Sequence, residues 1–265
     1  MIAVNSYVGF SRDKGMIMNK NILVLAMLAI ISSMLSSSLD GSIKGIRQHT
    51  ETISMKKEKK EQRIEKNKEK EEEIPPTEDL MREHGILNRV LLIYEEVIRR
   101  LEKDEEPLKE LLNAAMIIQE FIENYHEKLE EDHIFPLFEK NKKEVRLVKT
   151  LRNQHTKGRE ITSEILKISS SHHDLDQKTR RLLISLLKKF IRMYRPHEAR
   201  EDTVLFPQVR SFISEQEFKD LGEKFENLEH ELFGKEGFFA IVKRVEMIEK
   251  ELGIYQLEQF TPRSL

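Results

Sequence analysis

HEKLEEDHIFP at residues 126–136 and HEAREDTVLFP at residues 197–207 follow one pattern: His, three residues, Glu, four residues, Phe-Pro. A single His, either His84 or His155, lies 42 residues before the first His of each copy. The two halves therefore superpose at an offset of 71 residues. This register indicates that one supersecondary unit is used twice.

The repeated pattern predicts a buried metal site. His and Glu four residues apart on a helix project from the same face. Two such helices, each beside a helix with one His, would direct four imidazoles and two carboxylates into the centre of a four-helix bundle, where bundles build two-metal sites. A duplication that had kept only packing residues would instead favour Leu, Ile and Phe at these positions, because buried His and Glu are costly unless they are paired or bind a metal. The candidate ligands are His84, His126, Glu130, His155, His197 and Glu201.

Composition narrows the choice of metal and of partner. Imidazole nitrogen and carboxylate oxygen suit iron or manganese. The chain has no cysteine, which excludes a thiolate zinc centre and a disulfide framework. A formal net charge of −2 and the lack of a basic stripe with aromatic residues argue against a nucleic-acid partner.

At these residues the chain resembles the hemerythrin-like, or His-His-Glu (HHE) cation-binding, domains. The resemblance runs from about Leu80 to about Phe212 and includes MREHGILNRV, NYHEKLEEDHIFP, LRNQHTKGR and YRPHEAREDTVLFP. It implies an up-and-down four-helix bundle with two non-haem iron ions and an oxo or hydroxo bridge. Manganese is the alternative metal. Carried over by position, the terminal ligands would be His84, His126, His155 and His197, with Glu130 and Glu201 as bridges.

The chain departs from the oxygen-carrying members of that family. The carriers have a second His four residues after the third-helix His, where this chain has Arg159. The matching position after His84 is Asn88. With fewer protein ligands, more coordination positions on the metal ions stay open, which suits iron sensing, peroxide or nitric oxide chemistry, or iron handling. The carriers also use an Asp five residues after the last His, which makes Asp202 an alternative to Glu201, although Glu201 obeys the repeat.

Periodicity and turn residues predict an all-α chain with a bundle at 77–212 and two extra helices, packed on the bundle, within 213–265. Thr77 is expected to cap the first helix, and Ser214 to open a capping box. Pro136 and Pro207 should kink or end their helices, and Pro196 should bend the fourth. The expected helices cover about 77–103, 108–140, 143–169, 175–209, 214–232 and 237–252.

The N-terminal region predicts export or anchoring. ILVLAMLAIISSML at 22–35 follows Lys20. A run of about fourteen apolar residues fits a secretory segment better than a full span of about twenty. Residues 1–42 are therefore interpreted as a signal peptide or membrane anchor, and the Lys- and Glu-rich residues 43–76 as a charged linker or exposed helix. We expect an exported or membrane-anchored protein, with a cytoplasmic one as the alternative.

Several acidic and aromatic residues near the candidate ligands are predicted to be solvated charges or core residues and not to contact the metal site. Residues adjacent in a helix point away from one another, so most of the neighbouring carboxylates are expected to be solvated charges. Tyr125 and Tyr194 are expected to pack in the core. The neighbouring carboxylates are Glu83, Glu127, Glu131 and Glu198.

Other histidines are weaker ligand candidates. His133 lies seven residues after the first copy begins and could face the core. His230 with Glu226 forms an i, i+4 pair that we interpret as structural, although it is the best candidate outside the repeat for a missing ligand or for gating access. His172 and His173 lie in SSSHHDLD, which is interpreted as a loop.

Three classes of function remain open from the sequence. The first is a di-iron module that binds O2, nitric oxide or peroxide for sensing, delivery or protection. The second is an oxidase or peroxidase, which needs a substrate cleft and a proton donor. The third is iron storage or a structural role. The resemblance favours the binding module over an enzyme, and this step is analogy. Sensing would also require a protein partner, which the sequence does not identify.

Overall fold

The computed structural model describes residues 74–171 and 174–262, and every regular element in these ranges is helical. The predicted all-α class is confirmed, and the predicted helix ends agree with the observed ones to within a few residues. Six long helices are followed by a short 3-10 turn, Leu257–Phe260. They are α1 (Pro76–Leu101), α2 (108–141), α3 (Val145–Ser169), α4 (177–209), α5 (Glu215–Phe233) and α6 (Gly237–Glu251).

The first four helices form an up-and-down bundle. α1 packs against α2 and α4, and α3 packs against the same two helices. Short connections between sequential neighbours make them antiparallel. α6 lies on the outside against α1 and α2, while α5 contacts α1 and α6. The two C-terminal helices therefore cover one side of the bundle.

The bundle is held together by an apolar stripe on each helix. On α1 the buried residues recur every three or four positions, as an amphipathic helix requires. Tyr94 from α1 meets Phe190 from α4 edge-on, with ring centroids 5.4 Å apart. Each fully buried large apolar side chain contributes about 1.5–3 kcal/mol. The buried apolar residues of α1 include Leu80, Leu87, Leu91, Tyr94, Val97 and Leu101.

The start of α1 corrects one prediction. Thr77 does not cap the helix, since the N-cap residue is Pro75 and no side chain accepts a capping hydrogen bond. The helix begins at Pro76, where proline is favoured because its fixed φ suits the first turn and its missing N–H leaves no donor unsatisfied. Thr77 is buried within the first turn.

The predicted capping box at α5 is confirmed. Ser214 Oγ accepts a hydrogen bond from the Glu217 backbone N–H at 3.2 Å, and Glu217 Oε2 accepts one from the Ser214 N–H at 2.7 Å. Two backbone donors at the helix start are thereby satisfied.

Ser214→Ala is expected to lower the free energy of unfolding by about 1 kcal/mol, because it removes the acceptor for one backbone N–H. For a domain of this size the melting temperature should fall by about 2–4 °C. Circular dichroism melts of the metal-free protein measure this. Ser170→Ala, at an exposed hydroxyl that bonds only a carbonyl of its own helix end, is the control and should change the melting temperature less. Equal effects of the two changes would contradict the prediction.

The two Phe-Pro motifs do not end their helices. Each is preceded by a five-residue π-helical segment, Glu130–Ile134 in α2 and Glu201–Leu205 in α4, after which the α-helix resumes. Pro136 and Pro207 lack a backbone N–H and crowd the preceding turn, and a wider turn accommodates both defects. Each of these two π segments begins at a Glu of the repeated pattern, whereas a third, Ile118–His126, ends at the first His of that pattern. Pro196 lies inside an α-helical segment that continues to Arg200.

Some predictions fall outside the described residues. These concern the apolar stretch within 1–42, the charged linker up to residue 73, and His172 and His173. In the part of the chain that the structure describes, no helix has the length and apolarity needed to span a membrane.

Candidate metal centre

The bundle brings the six candidate ligands together in its interior. α1 and α3 each contribute one His, and α2 and α4 each contribute a His and a Glu four residues apart. All six side chains are buried, with at most 4% of any residue exposed. The residues form two overlapping groups able to hold metal ions, one of Glu130, His155, His197 and Glu201 and one of His84, His126 and Glu130.

The four imidazoles form two pairs. His84 Nε2 lies 3.0 Å from His126 Nε2, and His155 Nε2 lies 3.2 Å from His197 Nε2. Two ligands at right angles on one metal ion, each about 2.1 Å from it, are about 3.0 Å apart. Each pair therefore has the spacing of two nitrogens on one ion.

The two carboxylates lie between the histidine pairs. Glu130 Oε2 is 3.7 Å from His126 Nε2 and 3.4 Å from His155 Nε2, which belong to different pairs. Glu201 Oε2 lies 3.5 Å and 3.1 Å from the Nε2 atoms of the other two histidines. Each carboxylate thus faces one imidazole of each pair, as a bridging carboxylate would.

The outward-facing nitrogen of every imidazole has its own oxygen partner. A carboxylate oxygen or an amide oxygen can only accept, so each Nδ1 carries a hydrogen, and in the neutral form of each ring Nε2 presents a lone pair to the interior. The partners of Nδ1 are Asp202 for His84 (2.7 Å), Glu83 for His126 (2.6 Å), Glu131 for His155 (3.1 Å) and Gln154 for His197 (2.9 Å).

These partners correct the prediction that the neighbouring carboxylates are mostly solvated. Glu83, Glu127 and Glu198 are buried, and Glu131 is mostly so. Glu83 and Glu131 do point away from the ligand on their own helix, but each bonds the histidine on the next helix. The 71-residue offset could have identified them, because it relates Glu83 to Gln154 and Glu131 to Asp202.

The structure distinguishes the places of Glu201 and Asp202. The Glu201 side chain is wholly buried between the histidine pairs, whereas 34% of the Asp202 side chain is exposed. Asp202 Oδ1 accepts from His84 Nδ1, on the outer side of that ring. The geometry therefore gives Asp202 the position of an orienting partner.

Without a cation, the electrostatics of the centre are unfavourable. Both oxygens of Glu130 and both of Glu201 are buried and lack a hydrogen-bond partner among the described residues. Burial and then the Glu201 charge raise the pKa of Glu130 well above its usual value, while the surrounding imidazoles, led by His197, outweigh burial and lower the pKa of Glu201. Burial, with its imidazole neighbours, lowers the pKa of His126 well below its usual value. Burial lowers the pKa of His84, but the Asp202 hydrogen bond and the nearby carboxylates outweigh burial and raise it. Buried imidazoles beside buried carboxylates that lack hydrogen-bond partners fit a metal site.

The two positions that depart from the oxygen carriers are occupied by other interactions. Arg159 forms ion pairs with Glu127 at 2.7 Å and Glu131 at 2.8 Å. Asn88 is exposed, and its side chain donates to the His84 backbone carbonyl at 3.1 Å.

The remaining candidate residues lie away from the centre. His133 is half-buried with its ring 5.8 Å from that of Phe225, and His230 is exposed. Neither belongs to a metal-binding group in the described ranges. Tyr125 and Tyr194 are buried, which confirms their predicted place in the core.

Comparisons with known proteins agree with this geometry. The family model described as the hemerythrin HHE cation binding domain matches residues 76–209 and, in an overlapping match, residues 146–236. Proteins named as uncharacterized, from two strains of Mycobacterium tuberculosis and from Mycobacterium bovis, are 49% identical to the chain over 195 residues. The aligned region covers 72% of this chain and 76% of each relative. No solved structure matches the chain.

Proposed function

Because the chain belongs to the hemerythrin HHE cation-binding family and its buried His and Glu cluster fits a metal site, we propose that it holds two non-haem iron ions and binds O2 or a related small molecule. Nitric oxide and peroxide are the related ligands, and the role is sensing, delivery or protection. Manganese is the alternative metal, and an oxo or hydroxo group would complete the bridge.

The observation that supports this proposal is the convergence of lone pairs at the centre. His84 and His126 would hold one ion, and the α3–α4 pair, His155 and His197, the other. Two neutral imidazoles whose Nε2 lone pairs lie about 3 Å apart are unfavourable unless a metal ion or a shared proton lies between them. Each ion would receive two imidazoles and share two carboxylates, which leaves positions open for a small molecule.

The chain's own residues orient and shield this centre. The four Nδ1 hydrogen bonds fix the rings and set their tautomers. Phe206 stacks on His84 with centroids 5.7 Å apart, and Phe135 stacks on His155 at 5.5 Å. Both Phe residues belong to the Phe-Pro motifs, so each copy of the pattern covers an imidazole of the other half and limits the access of water. The bound irons would supply the electron exchange needed to hold O2 or to reduce an oxidant.

An oxidase or peroxidase is the second candidate, and one observation favours it. Tyr194 donates its hydroxyl to Glu127 Oε1 at 2.7 Å, and Arg159 connects Glu127 to Glu131, the partner of His155. A buried phenol connected to the ligand set in this way is a candidate proton donor. Tyr194→Phe should leave a binding protein unchanged and slow an enzyme that uses this proton.

Metal analysis with optical spectroscopy tests the main proposal. The full chain, loaded with iron under anaerobic conditions and then exposed to air, should hold two irons per chain and develop a near-ultraviolet charge-transfer band that reverses on deoxygenation. His126→Ala should lose the full iron content and the optical band. The matched change His133→Ala, on the same helix, should retain the iron and the band. Absence of stoichiometric metal, or a full complement in His126→Ala, would overturn the proposal, and an irreversible band with turnover of peroxide would favour the enzyme.

Asp202→Ala is expected to weaken iron binding about tenfold while two irons still bind at saturation, because it removes the oxygen that orients His84 and leaves every proposed ligand in place. Competition with a chelator measures the affinity. Glu201→Ala is the comparison and should prevent full occupancy at any iron concentration. If Asp202→Ala loses an iron and Glu201→Ala does not, Asp202 is the bridge.

A further inference from the structure

A second polar layer lies in the interior of the bundle, about one helical turn from the metal centre. Tyr194 of α4, three residues before His197, donates its hydroxyl to Glu127 of α2 at 2.7 Å. Arg159 of α3, four residues after His155, pairs with the same carboxylate at 2.7 Å. These contacts join three of the four bundle helices, and α1 takes no part in them.

Three further buried side chains, one from each of α1, α2 and α3, carry an oxygen atom with no hydrogen-bond partner among the described residues. Tyr94 of α1 and Thr162 of α3 are wholly buried, and 3% of Glu123 of α2 is exposed. The unpartnered atoms are the Tyr94 hydroxyl oxygen, Thr162 Oγ1 and Glu123 Oε1. Folded proteins rarely leave buried polar atoms unpaired, because the loss of hydration is costly. Each of the three atoms therefore needs a partner that the described residues do not supply.

The three side chains are neighbours in the interior. Burial raises the pKa of Glu123, while the nearby Thr162 hydroxyl and the Arg159 charge oppose that rise. Burial and then the Glu123 charge raise the pKa of Tyr94. The side chains thus act on one another, although none of the three oxygen atoms completes a hydrogen bond within the described structure. A direct bond from Thr162 to Glu123 would still leave the Tyr94 hydroxyl without an acceptor.

The Thr162 hydroxyl also differs from two exposed threonine hydroxyls of the same helix. Thr150 and Thr156 each donate to the backbone carbonyl four residues earlier, at 3.0 Å and 3.1 Å. Such a bond within the helix is a common partner for a threonine hydroxyl in its middle. Thr162 makes no such bond in the described part of the chain, so its hydroxyl remains available to a group in the interior.

We propose that Tyr94, Glu123 and Thr162 bind an internal water molecule, which connects α1 to the polar layer and so links all four helices of the bundle. Tyr94 would donate to this water, Glu123 would accept from it, and the Thr162 hydroxyl can do either. A buried water typically makes about three hydrogen bonds to groups that otherwise have no partner. Polar groups slightly too far apart for a direct bond are commonly joined in this way.

This water site is separate from the proposed iron site. In the described ranges, none of its three side chains belongs to a group able to hold a metal ion. The Arg159 side chain is 31% exposed, so the polar layer reaches solvent along α3. Because the water requires no iron, its presence can be measured in the metal-free protein, and the result is independent of whether iron binds.

Urea unfolding of the metal-free full chain tests the hydrogen bonds to the water. Tyr94→Phe should raise the unfolding equilibrium constant about fivefold, because it removes a hydroxyl that bonds the water. Thr162→Val should act in the same direction, and the double variant should lose less than the two single effects combined, since both hydroxyls share one water. Thr156→Val, at an exposed position on α3, is the matched control and should change the constant less. A neutral or stabilising effect of Tyr94→Phe would overturn the proposal, because the hydroxyl would then have no partner to lose.

Magnetic relaxation dispersion of the water nuclei detects the water itself, since it counts water molecules that stay inside a protein for longer than the protein takes to tumble. The metal-free wild type and Thr156→Val should each hold one more long-lived water than the double variant with Tyr94→Phe and Thr162→Val. An equal count in the double variant would overturn the proposal even if its stability is lower, because direct hydrogen bonds among the side chains would then explain the lost stability.

Discussion

Glu130→Gln is expected to abolish tight iron binding while leaving the metal-free protein at least as stable as the wild type. Glutamine keeps the shape of the side chain but cannot bridge two cations. In the metal-free protein Glu130 is a buried carboxyl with two unpartnered oxygens, and its raised pKa shows that its charged form is unfavourable there; a neutral amide of the same shape avoids that charge. The two effects therefore have opposite signs, which distinguishes a lost ligand from a damaged fold.

Melting curves with and without iron measure both effects. Free metal at a thousand times Kd stabilises the wild type by about 4 kcal/mol, which for a domain of this size corresponds to a rise of about 8–16 °C in Tm. Glu130→Gln should show no rise, and elemental analysis after dialysis should find little iron. Asp132→Asn, an exposed change two residues further along α2, should behave as the wild type. A full complement of iron in Glu130→Gln would exclude it as a bridge.

Gly158→Ala is expected to destabilise the bundle by about 2 kcal/mol. A Cβ at Gly158 would lie 1.9 Å from the Tyr194 hydroxyl oxygen and 2.8 Å from the ring carbon that bears it. Tyr194 cannot easily retreat, because it is buried and its hydroxyl donates to Glu127. Overpacking costs about 1–3 kcal/mol, and a contact as short as 1.9 Å lies at the upper end of that range. The better helix propensity of alanine offsets about 1 kcal/mol, so about 2 kcal/mol remains.

A double-mutant cycle assigns this cost to the predicted contact. Tyr194→Phe removes the nearest oxygen, so Gly158→Ala should cost about 1 kcal/mol less in that background. Gly85→Ala is the control: the residue is exposed on α1 with nothing within 4 Å of an added Cβ, so it should stabilise by about 0.5–1 kcal/mol. Urea unfolding of the metal-free proteins measures all four variants. Similar effects at Gly158 and Gly85 would refute the steric argument.

The sequence predicted the helices well because their signals are local. Apolar periodicity, the Ser214 capping box and the turn prolines act within one helix, where spacing in sequence determines spacing in space. The same reasoning grouped the six candidate ligands, because the offset compares like positions on two helices. Sequence spacing does not predict a partner on another helix. Glu83 is expected from spacing to be solvated on α1, yet it bonds His126 on α2. The π segments were also missed, since proline indicates a disturbed turn but not how the turn widens.

The four outer partners of the histidines have a consequence for electron distribution. On the α1–α2 side both Nδ1 atoms donate to carboxylates, whereas on the α3–α4 side one donates to the neutral amide of Gln154 and the other to Glu131, whose charge is shared with Arg159. A carboxylate partner makes an imidazole a stronger electron donor than an amide does. The two halves are thus alike in ligand type but unequal in basicity. The α1–α2 histidines would stabilise the more oxidised ion, and the α3–α4 histidines the one that is more easily reduced.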